Sequence, residues 1–391
     1  SANAMALGLY AEASGDVAVA IGMNAQALSN DTLAAGAYAN AGNANAIAIG
    51  TGSNATSINS MAIGTNAQGL ATNAMAIGTR ACAQTLDAFA AGLEATANGT
   101  NATALGMLSV SSGTNSFAVG SKAQAEAANS IAFGTQATSQ GINAMAVGTG
   151  ANAAGVDAIA SGVGSLANQL KAIAFGPFSR ATGVQSMALG SSANASGQGA
   201  LAAGSVSKAS GDNSIAIGSN AIASGKDAFT AGFNSSATSD NAIALGSSAV
   251  ASGTGAYAAG LKTTASGPNS MALGTLATAS NTDAWAAGYN AKATGSSSTA
   301  LGTNSLATGT DAFAVGVRSR SLAANATSFG TGSNASAIDS QALGYFAQSS
   351  GLRGVAVGPY ANVQGMDSMA IGHNATTTGE QDLALGTNSI A

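Results

Sequence analysis

A single cysteine, Cys82, leaves no partner for an intramolecular disulfide. A single histidine, His373, together with that one thiol, excludes a histidine-based zinc site or a hydrolytic triad assembled within one chain. Charge is scarce as well: only 7% of residues are charged, the net charge is −5, and no basic patch exists to hold nucleic acid. Low charge often accompanies a membrane span, yet no run of 18 apolar residues occurs, because Gly, Asn, Ser and Thr interrupt throughout. The acidic residues are scattered, so neither paired carboxylates nor a calcium loop emerges, and the nine-residue calcium-solenoid repeat is absent. Nothing in this inventory supports an enzyme.

What is present is a period. A glycine recurs every 14 residues from Gly8 to Gly386, giving 28 repeats with no insertion or deletion. Fixed self-similarity of this kind marks a repeat array, and residues 1–391 read as one continuous domain of stacked units. With that glycine as position 0, position −2 is alanine in 26 of 28 repeats; Thr230 and Ser328 are the exceptions. Position −4 is almost always Ala or Ser, whereas −3 and −1 carry bulk, as in Phe117/Val119 and Phe313/Val315. Small and large residues alternating with period two define a β-strand with two unlike faces. Positions +3 and +5 are again small and predict a second, shorter strand. Asn or Asp stands at −5 in 20 of 28 repeats, and glycine at +7 in 16 of 27, which is turn chemistry at both ends. Each repeat is therefore one coil of an all-β parallel solenoid, and 28 coils at about 4.8 Å spacing predict a rod on the order of 130 Å long.

A 14-residue coil is too narrow for two layers of leucine-sized side chains. The small residues at −4, −2, 0, +3 and +5 are expected to fill it, leaving −3 and −1 to point outward. The candidate interface is then a stripe that includes Ile47, Ile49, Met61, Ile63, Phe117, Val119, Ile131, Phe133, Ile215, Ile217, Trp285, Phe313 and Val315. Of the 112 positions from −4 to −1, only Asp382 is charged. Where −1 shrinks to alanine, +1 often grows, as with Ala231 and Phe233 or Ala287 and Tyr289. Such volume trading belongs to a packed surface, so the stripe predicts self-association.

Asn-Ser-bulky-Ala-bulky-Gly, as in Asn213–Gly218, resembles the head-domain repeat of trimeric autotransporter adhesins, the YadA-like head, over the whole chain. The resemblance implies a left-handed parallel β-roll, a homotrimer joined through the bulky stripe, and exposure at the surface of a Gram-negative cell. It also implies attachment to host extracellular matrix such as collagen, or to other surfaces. The family's matrix-binding motif is matched by Asn59/Ser60, Asn115/Ser116, Asn129/Ser130, Asn213/Ser214 and Asn269/Ser270, which precede the turn glycines Gly64, Gly120, Gly134, Gly218 and Gly274. Met, Phe or Ile replaces the motif's valine in several of these copies. No leader, neck, coiled-coil stalk or barrel strand is recognisable, so the chain reads as a piece of a longer protein whose export and anchoring segments lie elsewhere. The competing reading is a stiff spacer that projects a binding domain of the parent protein; ice-binding and phage-fibre readings are weaker, the former because the threonines form no regular ladder. His373 and Cys82 read as turn and surface residues without a cofactor.

Overall fold

The computed structural model describes residues 2–391. Each repeat folds as one coil with a three-residue strand at −3 to −1 and a two-residue strand at +4 and +5, as in Met61–Ile63 and Gln68–Gly69. Among the described residues there is no helix. Every long strand pairs in parallel with the equivalent residues 14 positions away: Met61 faces Met75, Ala62 faces Ala76 and Ile63 faces Ile77. Short strands do the same, with Gln68 opposite Cys82.

The chain divides into two compact units, Ser1–Ala195 and Ser196–Ala391. The first holds the long strands from Met5–Leu7 to Met187–Leu189 and the short strands from Glu12–Ala13 to Asn194–Ala195. The second holds those from Leu201–Ala203 to Leu383–Leu385 and from Lys208–Ala209 to Thr376–Thr377. Within each unit the alternation read from sequence is the alternation of inside and outside. Ala62 and Ala216, at −2, are completely buried, as are Ala67 and Ala221 at +3 and Ala223 at +5.

Two tight turns join the strands of a coil. In one, the amide at +3 donates to the carbonyl of the period glycine, as Ala67 does to Gly64 at 3.2 Å. In the other, the amide at −4 donates to the carbonyl at +7, as Ser60 does to Ser57 at 3.2 Å. The third residue of each turn lies in the left-handed region. Every seventh residue from Asn3 to Asn388 is affected, with φ between 51° and 69°. Asn and Asp tolerate this conformation best after glycine, which explains their dominance at −5. The equivalent strain at +2 is the less expected half: there it falls on residues as bulky as Lys122, Leu276 and Phe346.

One expectation is corrected. The period glycine does not fill the interior; it sits half-exposed at the corner that follows the long strand. Its need for glycine comes from the backbone. Gly64, Gly120 and Gly134 have φ of 130°, 127° and 135°. A β-carbon on Gly134 would also lie 2.6 Å from the carbonyl oxygen of Gly148 in the next coil. Gly218 and Gly274 share the left-handed corner, at φ 123° and 111°. Conformation and close stacking together fix the residue.

Candidate functional surface

Three kinds of outward column run along the coils, and each is built by residues 14 apart in sequence. The first is the apolar stripe at −3 and −1. Phe133 is 50% exposed, Trp285 42% and Ile217 41%, although the alanine at the centre of each of these strands is fully buried. Ile47, Met61, Ile63, Val119, Ile131, Ile215 and Val315 are half-buried by neighbours in their own column, and Ile49, Phe117 and Phe313 are exposed. The predicted interface residues thus all lie on the outer side of the long strands.

The second column is the asparagine ladder at −5. Asn45 Nδ2 donates to Asn59 Oδ1 at 3.0 Å, Asn59 to Asn73 at 3.0 Å, and Asn73 to Asp87 at 2.8 Å. A second run links Asn101, Asn115, Asn129, Asn143 and Asp157. Asn213 reaches Asp227, and Asn269 reaches Asp283. Inside a run each asparagine accepts from one neighbouring coil and donates to the other, and an aspartate that only accepts ends it, so side chains repeat the backbone pairing on the outside. Near the C-terminal end the ladder continues as an ion pair, with Arg353 Nε 2.5 Å and its terminal nitrogen 2.7 Å from the two carboxylate oxygens of Asp367. That hydrogen bond, ahead of the charge itself, holds the Asp367 carboxyl below its ordinary value.

These contacts separate the two halves of each candidate matrix-binding motif. Asn59, Asn115, Asn129, Asn213 and Asn269 are at the surface, already engaged in the ladder. Ser60, Ser116, Ser130, Ser214 and Ser270 are at most 1% exposed, inside the coil. Ser60 Oγ donates to the Ser57 carbonyl at 2.7 Å, and Ser116 Oγ to that of Gly113 at 2.6 Å. A ligand on this stretch meets asparagines and never the serines.

The third column lies at +1 and +2, where the sequence shows bulk at +1 but not the clustering of rings between coils. In the second unit it gathers Tyr345, Phe346, Tyr360 and His373. Tyr345 meets Phe346 edge-on at 4.6 Å and Tyr360 edge-on at 5.4 Å, while Phe346 and Tyr360 lie nearly parallel, 6° apart with centroids 6.0 Å apart. His373 is exposed and sits edge-on to Tyr360 at 5.9 Å. The Tyr360 hydroxyl is raised above the ordinary phenol value, first by loss of surrounding water and then by Tyr345 beside it. Cys82 is half-buried, its Sγ 3.5 Å from Gln68 Oε1 and 3.4 Å from Gln84 Nε2. Among the described residues no three of His, Cys, Asp and Glu converge as a metal would require.

Parallel strands stacked at a fixed fourteen-residue step, an alanine interior and laddered turns define a β-solenoid repeat protein. The chain belongs to the YadA head domain repeat family, the head repeats of trimeric autotransporter adhesins. Its family model matches residues 1–25, 55–81, 86–109, 111–137 and 139–165, and then overlapping segments across 153–249. It matches again at 251–277, 279–305, 307–333, 335–361 and 364–389. Residues 26–54 are the longest stretch outside these matches, although they keep the same coil geometry. Comparison with individual curated proteins gave no match. The family is one of adhesin-like surface proteins rather than enzymes.

Proposed function

We propose that the chain is an adhesin head that works as a homotrimer outside the bacterial outer membrane, attaching the cell to extracellular-matrix protein or another surface. The observation that carries this reading is the apolar stripe: bulky side chains stand outward in coil after coil over an interior that is already filled by alanine. They have no place in their own coil, and an exposed apolar strip of this extent is a liability unless other copies cover it. Family membership supplies the number three and the surface location as expectations. Repetition supplies the binding logic, because near-identical coils on three chains multiply a weak contact.

Light scattering on the purified chain tests the first half. Association gives three times the chain mass of 36.8 kDa, and a clean monomer overturns it. Binding of the same purified protein to collagen-coated and uncoated surfaces tests the second. The spacer reading has its own support, since the motif serines are buried and the asparagines are committed to one another. A trimer that adheres to nothing would favour it.

A further inference from the structure

Along the +2 column of the second unit the residues step from Gly332 to Phe346, Tyr360 and Asn374. Along the neighbouring +4 column they run through Gln348, Asn362 and Thr376. Between the two columns lies an open groove of about 370 Å³ lined by Phe346, Tyr360, Gln348, Asn362, Asn374 and Thr376. We propose that this groove binds a neutral sugar unit of a surface glycan.

Three features point to that ligand. The wall contains two aromatic rings, held nearly parallel by coil stacking and braced edge-on by Tyr345 and His373, so the apolar platform is rigid before any ligand arrives. Phe346 and Tyr360 stay 38% and 47% exposed, and exposed ring surface of this kind packs against the C–H side of a pyranose, a contact that needs an apolar body with polar groups at its edge. The opposite wall carries the amides of Gln348 and Asn362 and the hydroxyl of Thr376, and Asn374 adds a third amide beside the rings, so donors and acceptors for sugar hydroxyls line the groove. No charged residue lines the groove, which argues against a phosphate, a sulfate or an acidic peptide. A proline-rich peptide would also use aromatic side chains, but it asks for apolar slots between rings rather than a wall of amides.

Position matters too. The +4 residues face outward from the short strand, on the side of the coil opposite −3 and −1. The +4 wall of the groove therefore stays uncovered when the apolar stripe is covered. A lone aromatic at the same turn position, such as Tyr38 in the first unit, has no companion ring in its own column, where Asn24 and Gly52 stand on either side. It serves as the internal control.

The inference rests on the attachment reading for its biological use, while its geometry stands without it. The test is saturation-transfer NMR on the whole purified chain with lactose, cellobiose, N,N′-diacetylchitobiose and a proline-rich peptide, each up to about 10 mM. Expected is transfer to the ring protons of at least one sugar, weakened about ten-fold or more in Tyr360→Asn and in Phe346→Asn, and unchanged in Tyr38→Asn. Asparagine is native at +2 in neighbouring coils, as at Asn374, and suits the left-handed backbone, so these variants retain the coil. Absence of transfer to every sugar overturns the proposal, as does undiminished transfer in Tyr360→Asn or binding of the peptide alone. A chain that has trimer mass but takes no sugar counts against the groove and leaves the association reading standing.

Discussion

Val363 and Gly354 occupy one space inside their coil. Val363, at +5, is the largest fully buried side chain in the protein, where nearly every other coil has Ala or Ser. Gly354, at −4 of the same coil, replaces the usual Ala or Ser, and a β-carbon there would lie 2.7 Å from Val363 Cγ1. Bulk gained on one side of the interior is thus partly offset on the other, at the scale of a single β-carbon. Gly354→Ala overpacks this layer and should cost about 1–3 kcal/mol. Val363→Ala opens a small void and should cost about 1–2 kcal/mol. The double variant restores the common coil, because Ala74 and Ala83 hold the same −4 and +5 places of one coil and are both fully buried. Denaturant unfolding of all four proteins should give a favourable coupling of about 1–2 kcal/mol, and strict additivity would refute the exchange.

Left-handed turn residues give the second prediction. Val17 and Val206 are β-branched at φ 59° and 58°, a conformation disfavoured for their side chains. Val17→Asn and Val206→Asn should each stabilise by about 1 kcal/mol, read as a higher unfolding midpoint. In the converse direction, Asn129→Val loses its bonds to Asn115 and Asn143 and acquires the same strain. Its cost should be about 1–3 kcal/mol. If the valines proved neutral and Asn129 replaceable, the ladder would have no structural role, and the asparagines would need another explanation.

The interior and exterior of the strands were legible because a period of two survives in any register: Ala216 between Ile215 and Ile217 announces its own burial. The turn at −5 was legible because Asn and Asp signal left-handed backbone. Its counterpart at +2 was hidden, since axial hydrogen bonds impose the conformation on residues with no preference for it. The Phe346 amide N–H is held there by donating a hydrogen bond to the Thr331 carbonyl at 2.9 Å. The period glycine is the exception: in the sequence its smallness signals interior volume, whereas the backbone conformation is what requires it. Burial of the motif serines follows from the same alternation as that of Ala216, since −4 and −2 share a face. The aromatic cluster was within reach of the sequence once coils are stacked, because Phe346 and Tyr360 are one period apart.

Titration of the Arg353–Asp367 pair gives a third prediction. The Asp367 carboxyl is lowered in the fold chiefly by its hydrogen bond from Arg353. A depressed acid contributes stability above its unfolded value, and that contribution disappears as pH falls through the lower folded value. Both partners are at the surface, so the effect on stability is small. The position of the titration is the better readout. Carboxyl carbon NMR should place Asp367 below an ordinary aspartate, and Arg353→Gln should return it upward. An unchanged midpoint in the variant would show that the pair is not formed in solution.

Two isoleucines five residues apart decide which face associates. Ile217 ends a long strand at −1 and is 41% exposed; Ile222 stands at +4 on the short strand and is 39% exposed. Their hydropathy and exposure match, but they point to opposite sides of one coil. If the −3 and −1 columns meet other copies, Ile217→Glu buries a carboxylate against an apolar partner, at a cost of several kcal/mol per copy. Ile222→Glu leaves the charge in water and should change little. One charged coil among many need not dissociate the assembly, so Phe133→Glu and Trp285→Glu are combined with Ile217→Glu to load the stripe at three separated coils. Light scattering should then report the 36.8 kDa chain for the triple variant and the associated mass for Ile222→Glu. Dissociation by Ile222→Glu with retention by the triple variant would move the interface to the short-strand side, and it would place the aromatic groove inside the assembly instead of on its surface.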